Sequence, residues 1–234
     1  HLTIEERIER ITSIFASFRN PDKETVLTPW RVVNMHLGDS LGGYVFLDEK
    51  REKTISQPVF VSHGDVTEDV FSPRSKVLEI NSKSGLYPLY VTYSIFRNRV
   101  KEKYPDKELE TLSVLQQKAL WNKTVKENIF VLCKTPMAKS ITKRTLLGFH
   151  QSNINTHYFE DLIRQITLRP QKFVAKIKKG NSYWKANNDN DMKFNAIVGN
   201  PPYMEMELLS PIHEIAPGRE VQFEYQMLAS TIPA

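Results

Sequence analysis

The sequence predicts an α/β fold, a doubly wound and mostly parallel sheet, with an N-terminal helical extension. Three observations carry this. An apolar run, Val77-Leu78-Glu79-Ile80, leads into a small-residue loop and a long helical stretch. A second run, Ile129-Phe130-Val131-Leu132, leads into a helix opened by Pro136. A third, Phe194-Asn195-Ala196-Ile197-Val198-Gly199, reads as a buried strand and ends at Asn200-Pro201-Pro202-Tyr203.

Each element has its own signal. Ile4, Ile8, Ile11, Phe15 and Phe18 fall at helical spacing over residues 3–18, and Thr3 with Glu6 forms a capping-box pattern. Asn20-Pro21-Asp22 breaks that helix, so residues 1–24 are expected as a helical extension and 25–234 as the main domain. Thr28-Pro29 opens a second helix, with proline in its first turn. Gly42 and Gly43 precede a short strand, Tyr44 to Leu47, and residues 48–76 read as polar and irregular. After the strand at Val77, a helix covers 86–103 and another covers 107–126, with Leu109, Leu112, Leu115, Ala119 and Leu120 on one side. The helix opened by Pro136 runs to Leu147 and ends at Gly148. Residues 158–167 read as helical, and Val174 to Ile177 favours a strand. Phe223 to Leu228 is a candidate fifth strand; the stretch after Tyr203 is too short for the rest of such a sheet, so an incomplete domain is expected.

Composition narrows the class. Hydrophobic content of 40% and charged content of 25% are those of a soluble globular protein. The lone Cys133 excludes an internal disulfide and fits a reducing, cytoplasmic compartment. Six histidines and one cysteine show no metal-ligand spacing, so no metal is expected. No apolar run approaches membrane-spanning length, so no membrane partner is expected. A net charge of +5 permits nucleic-acid binding. Its basic clusters, Arg97 to Lys103, Lys139 to Arg144 and Lys172 to Lys185, read as solvated faces when each is taken alone, with a phosphate-contacting surface as the alternative.

The tetrapeptide is the most specific feature. At average residue usage it arises by chance in a chain of this length about once in a thousand sequences. Asn200-Pro201-Pro202-Tyr203 at a strand exit resembles the motif of methyltransferases that act on the exocyclic amino group of adenine in DNA. That resemblance implies a sheet of the S-adenosylmethionine-dependent methyltransferase type. It implies that the Asn200 side-chain carbonyl and the Pro201 main-chain carbonyl accept from the two N–H bonds of the amine, localising its lone pair. Pro202 stiffens the loop, Tyr203 stacks on the base, and the base leaves the duplex. A proline-rich turn with a packed tyrosine is the plainer alternative.

Two further segments match the pattern. In this family the first strand ends in an acidic residue and a small-residue loop that hold S-adenosylmethionine. Glu79 takes the acidic place, and Asn81, Ser82, Ser84 and Gly85 form the loop. Lys83 stands where a glycine is usual, and Ile80 replaces a proline. An ordinary strand–helix connection is the alternative. Thr28-Pro29 matches a pair found before the first strand, ahead of a helix that packs over the methionine end of the donor. The acid that normally ends the second strand and binds the ribose is missing: Cys133 holds that position, as a buried small side chain. Glu160 and Asp161 are candidates for the third strand's polar position.

The phrases around Thr28 and Leu78 resemble those of large prokaryotic restriction-modification enzymes. The implied function is methyl transfer from S-adenosylmethionine to a flipped adenine of double-stranded DNA, with no metal and no covalent intermediate. Nuclease or target-recognition regions are expected partners, in the same chain or another. The alternative is a catalytically weak methyltransferase-like module that binds DNA or a partner subunit.

Overall fold

The computed structural model describes residues 2–18, 27–149, 154–158 and 194–199. Helix α1 (Ile4–Ser17) is capped by Thr3, whose hydroxyl accepts from the Glu6 N–H while Glu6 reaches back. Helix α2 (Trp30–Ser40) follows Pro29, which occupies the N-cap itself. Strands β1 (Gly43–Leu47) and β2 (Thr54–Val61) form an antiparallel pair. A short helix, α3 (Asp65–Val70), leads to β3 (Val77–Ser82), then α4 (Leu86–Lys103), α5 (Val114–Asn128), β4 (Ile129–Cys133), α6 (Pro136–Leu147), β5 (Asn155–Tyr158) and β6 (Ala196–Val198).

The main sheet is β5-β4-β3-β6, and every neighbouring pair is parallel. Counting the described strands from β3, this is the order 3-2-1-4, four of the six strands in the 3-2-1-4-5-6 order of dinucleotide-binding sheets. Such a sheet opens a ligand crevice at the carboxyl ends where the chain reverses direction across it. Here that point lies between β3 and β6. All six residues of β3 and all five of β4 are buried, as expected of parallel strands covered on their faces.

Helix α4 is the central packing element. Its residues from Leu86 to Phe96 are all buried, with α2, α5, α6 and β1 around it. A helix apolar on every side belongs in an interior. Tyr90, Tyr93 and Phe96 meet Trp30, Phe46 and Trp121 at ring-centroid separations of 4.9–6.3 Å. Full burial of each such ring contributes about 2–3 kcal/mol. Helix α1 joins this core through Ile4 and Ile8; Arg7 donates to the Thr145 carbonyl and Glu5 accepts from Tyr93.

Several expectations change. Residues 48–76 are not irregular, since they contain β2 and α3. Strand β2 is an edge strand with mostly exposed side chains, so it lacks the apolar alternation that marks a half-buried strand. The helix expected over 107–126 is two elements. Leu109–Thr111 is a single 3-10 turn, and Ser113 with Gln116 starts α5 by a capping box. Tyr158 ends a strand rather than starting a helix. Residues 159–193 and the candidate fifth strand lie outside the described residues.

Candidate active site

The candidate site is built at the carboxyl end of β3. Glu79 sits mid-strand, paired with Val131 of β4 on one side and Val198 of β6 on the other. It is 4% exposed. Burial pushes its carboxyl up to about 8, while a hydrogen bond from Ser82 pulls the other way. Its Oε2 has no hydrogen-bond partner among the described residues.

Asn81 follows at φ 64°, a left-handed conformation that asparagine tolerates better than most residues. The register slips there, so that Ser82 rather than Asn81 pairs with Cys133. This bulge turns the strand end out of its ladder. The Asn81 Oδ1 is also buried without a partner among the described residues. Each orphaned buried acceptor costs about 1–3 kcal/mol, which a ligand's N–H or O–H can recover. Two acceptors two residues apart suit a ligand rich in donors, such as an ammonium group.

The small residues of the loop face α6. The Ser82 hydroxyl lies 2.9 Å from that of Thr142, and the Thr145 hydroxyl donates to the Ser84 carbonyl at 2.6 Å. Gly85 has φ 78°, and a Cβ there would sit 3.0 Å from the Thr142 Cα. Glycine at this position thus serves both a positive φ and the close approach of α6. Lys83 is half-buried. Cys133 is fully buried at the end of β4, and burial pushes its thiol up to about 12. It is a packed, un-ionised side chain beside Thr142.

On the other flank β6 comes in against bare backbone. A Cβ on Gly199 would lie 2.9 Å from the Ile80 carbonyl oxygen. Only a glycine lets the strand exit run this close. Asn195, which sequence reasoning passed over, fastens the start of β6. Its N–H donates to the Lys76 carbonyl at 2.8 Å, its Oδ1 accepts from the Lys76 N–H at 2.9 Å, and its Nδ2 donates to Asp69 at 2.8 Å. Asparagine at a strand entry is a turn signal, and that was the available clue.

Thr28 is buried and Pro29 is exposed at the head of α2. Helix α2 is fixed by Asn34, whose amide donates to the Trp30 carbonyl and accepts from the Phe46 N–H. It reaches the loop through His36, 2.8 Å from the Tyr87 hydroxyl in the first turn of α4. Glu79, Asn81, Ser82, Ser84 and Gly85 are therefore together, and Thr28 and Pro29 stand on the helix that packs against α4. Asn200, Pro201, Pro202 and Tyr203 lie outside the described residues, as do Glu160 and Asp161. Among the described residues, no group of three histidine, cysteine or acidic side chains could hold a metal. No described helix is long and apolar enough to cross a membrane.

The described residues thus define an α/β protein with a parallel sheet and a polar, partly unsatisfied end to its central strand. Residues 127–227 match the family described as Eco57I restriction-modification methylase. The match supports a restriction-modification methylase. It spans β4, α6, β5, β6 and the tetrapeptide, and it starts after the Glu79 loop. No curated protein and no solved structure matches the chain.

Proposed function

We propose that the chain is an adenine-specific DNA methyltransferase domain of a restriction-modification system. The observation that supports this is where the tetrapeptide stands in the sequence. It directly follows Gly199 in sequence, a described residue that comes close to the Ile80 carbonyl next to Glu79. It also falls within the stretch that matches the methylase family.

The orphaned Glu79 Oε2 and Asn81 Oδ1 fit the ammonium and hydroxyl groups of S-adenosylmethionine. When bound, that cofactor supplies an electrophilic methyl group. Glu79 and Asn81 accept hydrogen bonds from it, and the Ser84-Gly85 turn shapes the backbone beneath it. The approach of a cation favours the ionised form of Glu79, so binding expels a proton and strengthens as the pH rises toward 8. Asn200 and Pro201 accept from the adenine amine, Pro202 holds the loop, and Tyr203 stacks on the flipped base. Catalysis is positioning and hydrogen bonding. Double-stranded DNA is the partner.

A second reading is a methyltransferase-like binding module. The buried thiol of Cys133, in the place of a ribose-binding acid, favours it. Transfer of labelled methyl groups to DNA, RNA and protein separates the two. The enzyme labels DNA, and Asn200→Ala lowers the rate by about 100-fold or more. DNA binding without any methyl transfer supports the module. Intact DNA methylation in Asn200→Ala overturns the catalytic assignment.

A further inference from the structure

Four side chains from three elements form a row behind the candidate donor loop. Glu79 and Ser82 come from β3, Cys133 from β4 and Thr142 from α6. The Ser82 hydroxyl favours the ionised form of the Glu79 carboxyl and lies 2.9 Å from the hydroxyl of Thr142; the Cys133 sulfur is 4.0 Å from the Thr142 hydroxyl. Ser82, Cys133 and Thr142 are at most 1% exposed.

Proton counting sets the direction of this row. Once Glu79 is ionised it can only accept, so Ser82 then donates to it. A serine hydroxyl has one proton, so Ser82 must then accept from Thr142. Thr142, having donated, accepts weakly from the Cys133 S–H. Each link polarises the next, which strengthens the bond at Glu79. Thr142 also covers Gly85, and one turn on Thr145 holds the Ser84 carbonyl. Among the described residues, Thr142 therefore meets both the carboxylate row and the glycine turn.

We propose that Thr142 is the positioning residue of the donor loop, orienting the Ser82 hydroxyl toward Glu79 so that the second carboxyl oxygen is left for the ligand. This rests on the reading of the β3 end as a methyl-donor seat. Among the described residues, the other titratable groups acting here are the Cys133 thiol and, through it, Lys139 of α6. Strand β6 brings Val198 and Gly199, which do not titrate.

The test compares Thr142→Val, which keeps the branched shape and removes the hydroxyl, with Thr142→Ser, which keeps the hydroxyl. Two quantities are read on the full chain. One is the titration midpoint of the Glu79 carboxyl by carbon NMR, without ligand. The other is the affinity for S-adenosylhomocysteine across pH 6–9. The valine variant should move the Glu79 midpoint alkaline and weaken binding about three- to tenfold at neutral pH, the worth of one hydrogen bond. The serine variant should restore both. A folded valine variant with an unmoved midpoint overturns the proposal, as does equal weakening by serine and valine. If the wild type binds no S-adenosylhomocysteine, the donor-seat reading fails, while the midpoint still shows whether the row exists.

Discussion

The two flanks of β3 are built in opposite ways. Toward β4 the strand end is packed shut by side chains, with Ser82, Cys133 and Thr142 in contact and α6 lying on the Gly85 turn. Toward β6, among the described residues, the Ile80 carbonyl at the strand end meets Gly199, which brings no side chain to it. A sheet that needed nothing at this edge would fill it. The closed flank fixes the loop, and Gly199 leaves the Ile80 carbonyl free of a β6 side chain. The orphaned acceptors of Glu79 and Asn81 lie on the strand end between them. The difference separates residues that hold the site from residues that leave it room.

The sharpest way to break this contrast is to put a side chain on the bare flank. In Gly199→Ala the new methyl would sit 2.9 Å from a backbone oxygen, which has no rotamer to move away. Strand β6 or its exit must shift. Overpacking of this kind costs about 1–3 kcal/mol, and an ångström of displacement at a reacting group costs about 100-fold in rate. The expected result is a modest fall in denaturation midpoint with a disproportionate loss of methyl transfer. A stability loss with unchanged transfer per folded molecule would show that the β6 exit does not position the reaction.

Glu79 is the next largest effect, and its sign can be worked out. Its folded carboxyl titrates near 8 against an ordinary value of 4.5. Between those values the folded chain holds a proton that the unfolded chain has released. Stability contributed by Glu79 is therefore complete below about pH 4.5 and is lost as the pH rises to about 8. Glu79→Gln keeps the neutral shape and removes the titration. The variant should match the wild type near pH 5 and exceed it above pH 8, by up to a few kcal/mol without ligand. Urea unfolding at the two pH values measures this. The same variant should bind S-adenosylhomocysteine less well, so stability and binding move in opposite directions, as they do where a strained group serves a ligand. A constant difference across pH would mean that Glu79 is not held neutral by burial.

How far the sequence makes these flanks legible follows from what each is made of. Helices α4 and α6 are legible to the residue because their ends carry local punctuation: Gly85 before one, Thr135-Pro136 and Gly148 around the other. Strands β3, β4 and β6 are legible as apolar runs. The position of Glu79 is legible too, since an acid inside an otherwise buried run is conspicuous. Strands β2 and β5 are not: Asn155-Thr156-His157-Tyr158 is strand only because the β4 backbone offers it a ladder. The neighbours of Ser82 and Gly85 are not legible either. Small residues after a strand suggest close approach, but sequence does not say by what, and here α6 takes up that closeness. Thr142 and Thr145 give no signal at all, because a threonine on the inner face of a helix looks like any other helix residue until its partner is known.

The smallest expected effect lies on the closed flank, at Cys133. Its sulfur is inaccessible, burial holds the thiol protonated with a titration near 12, and its hydrogen bond among the described residues is a long one to Thr142. A thiol attacks as the thiolate, so both access and ionisation oppose reaction. Native protein should react with a thiol-specific reagent at pH 8 only as fast as it opens, and completely once denatured. Cys133→Ala leaves a small gap among Ser82, Thr142 and the sheet, and should cost about 1 kcal/mol or less. Cys133→Asp is the informative contrast. If this position retains a ribose-binding role, the acid should tighten S-adenosylhomocysteine binding. On the geometry here it should instead destabilise the fold, because it places a second carboxylate beside buried Glu79, and the Lys139 charge that favours an anion there is outweighed by burial. Tighter binding in a stable Cys133→Asp protein would show that the β4 flank can open toward the ligand, and the division between a closed and a bare side of β3 would no longer hold.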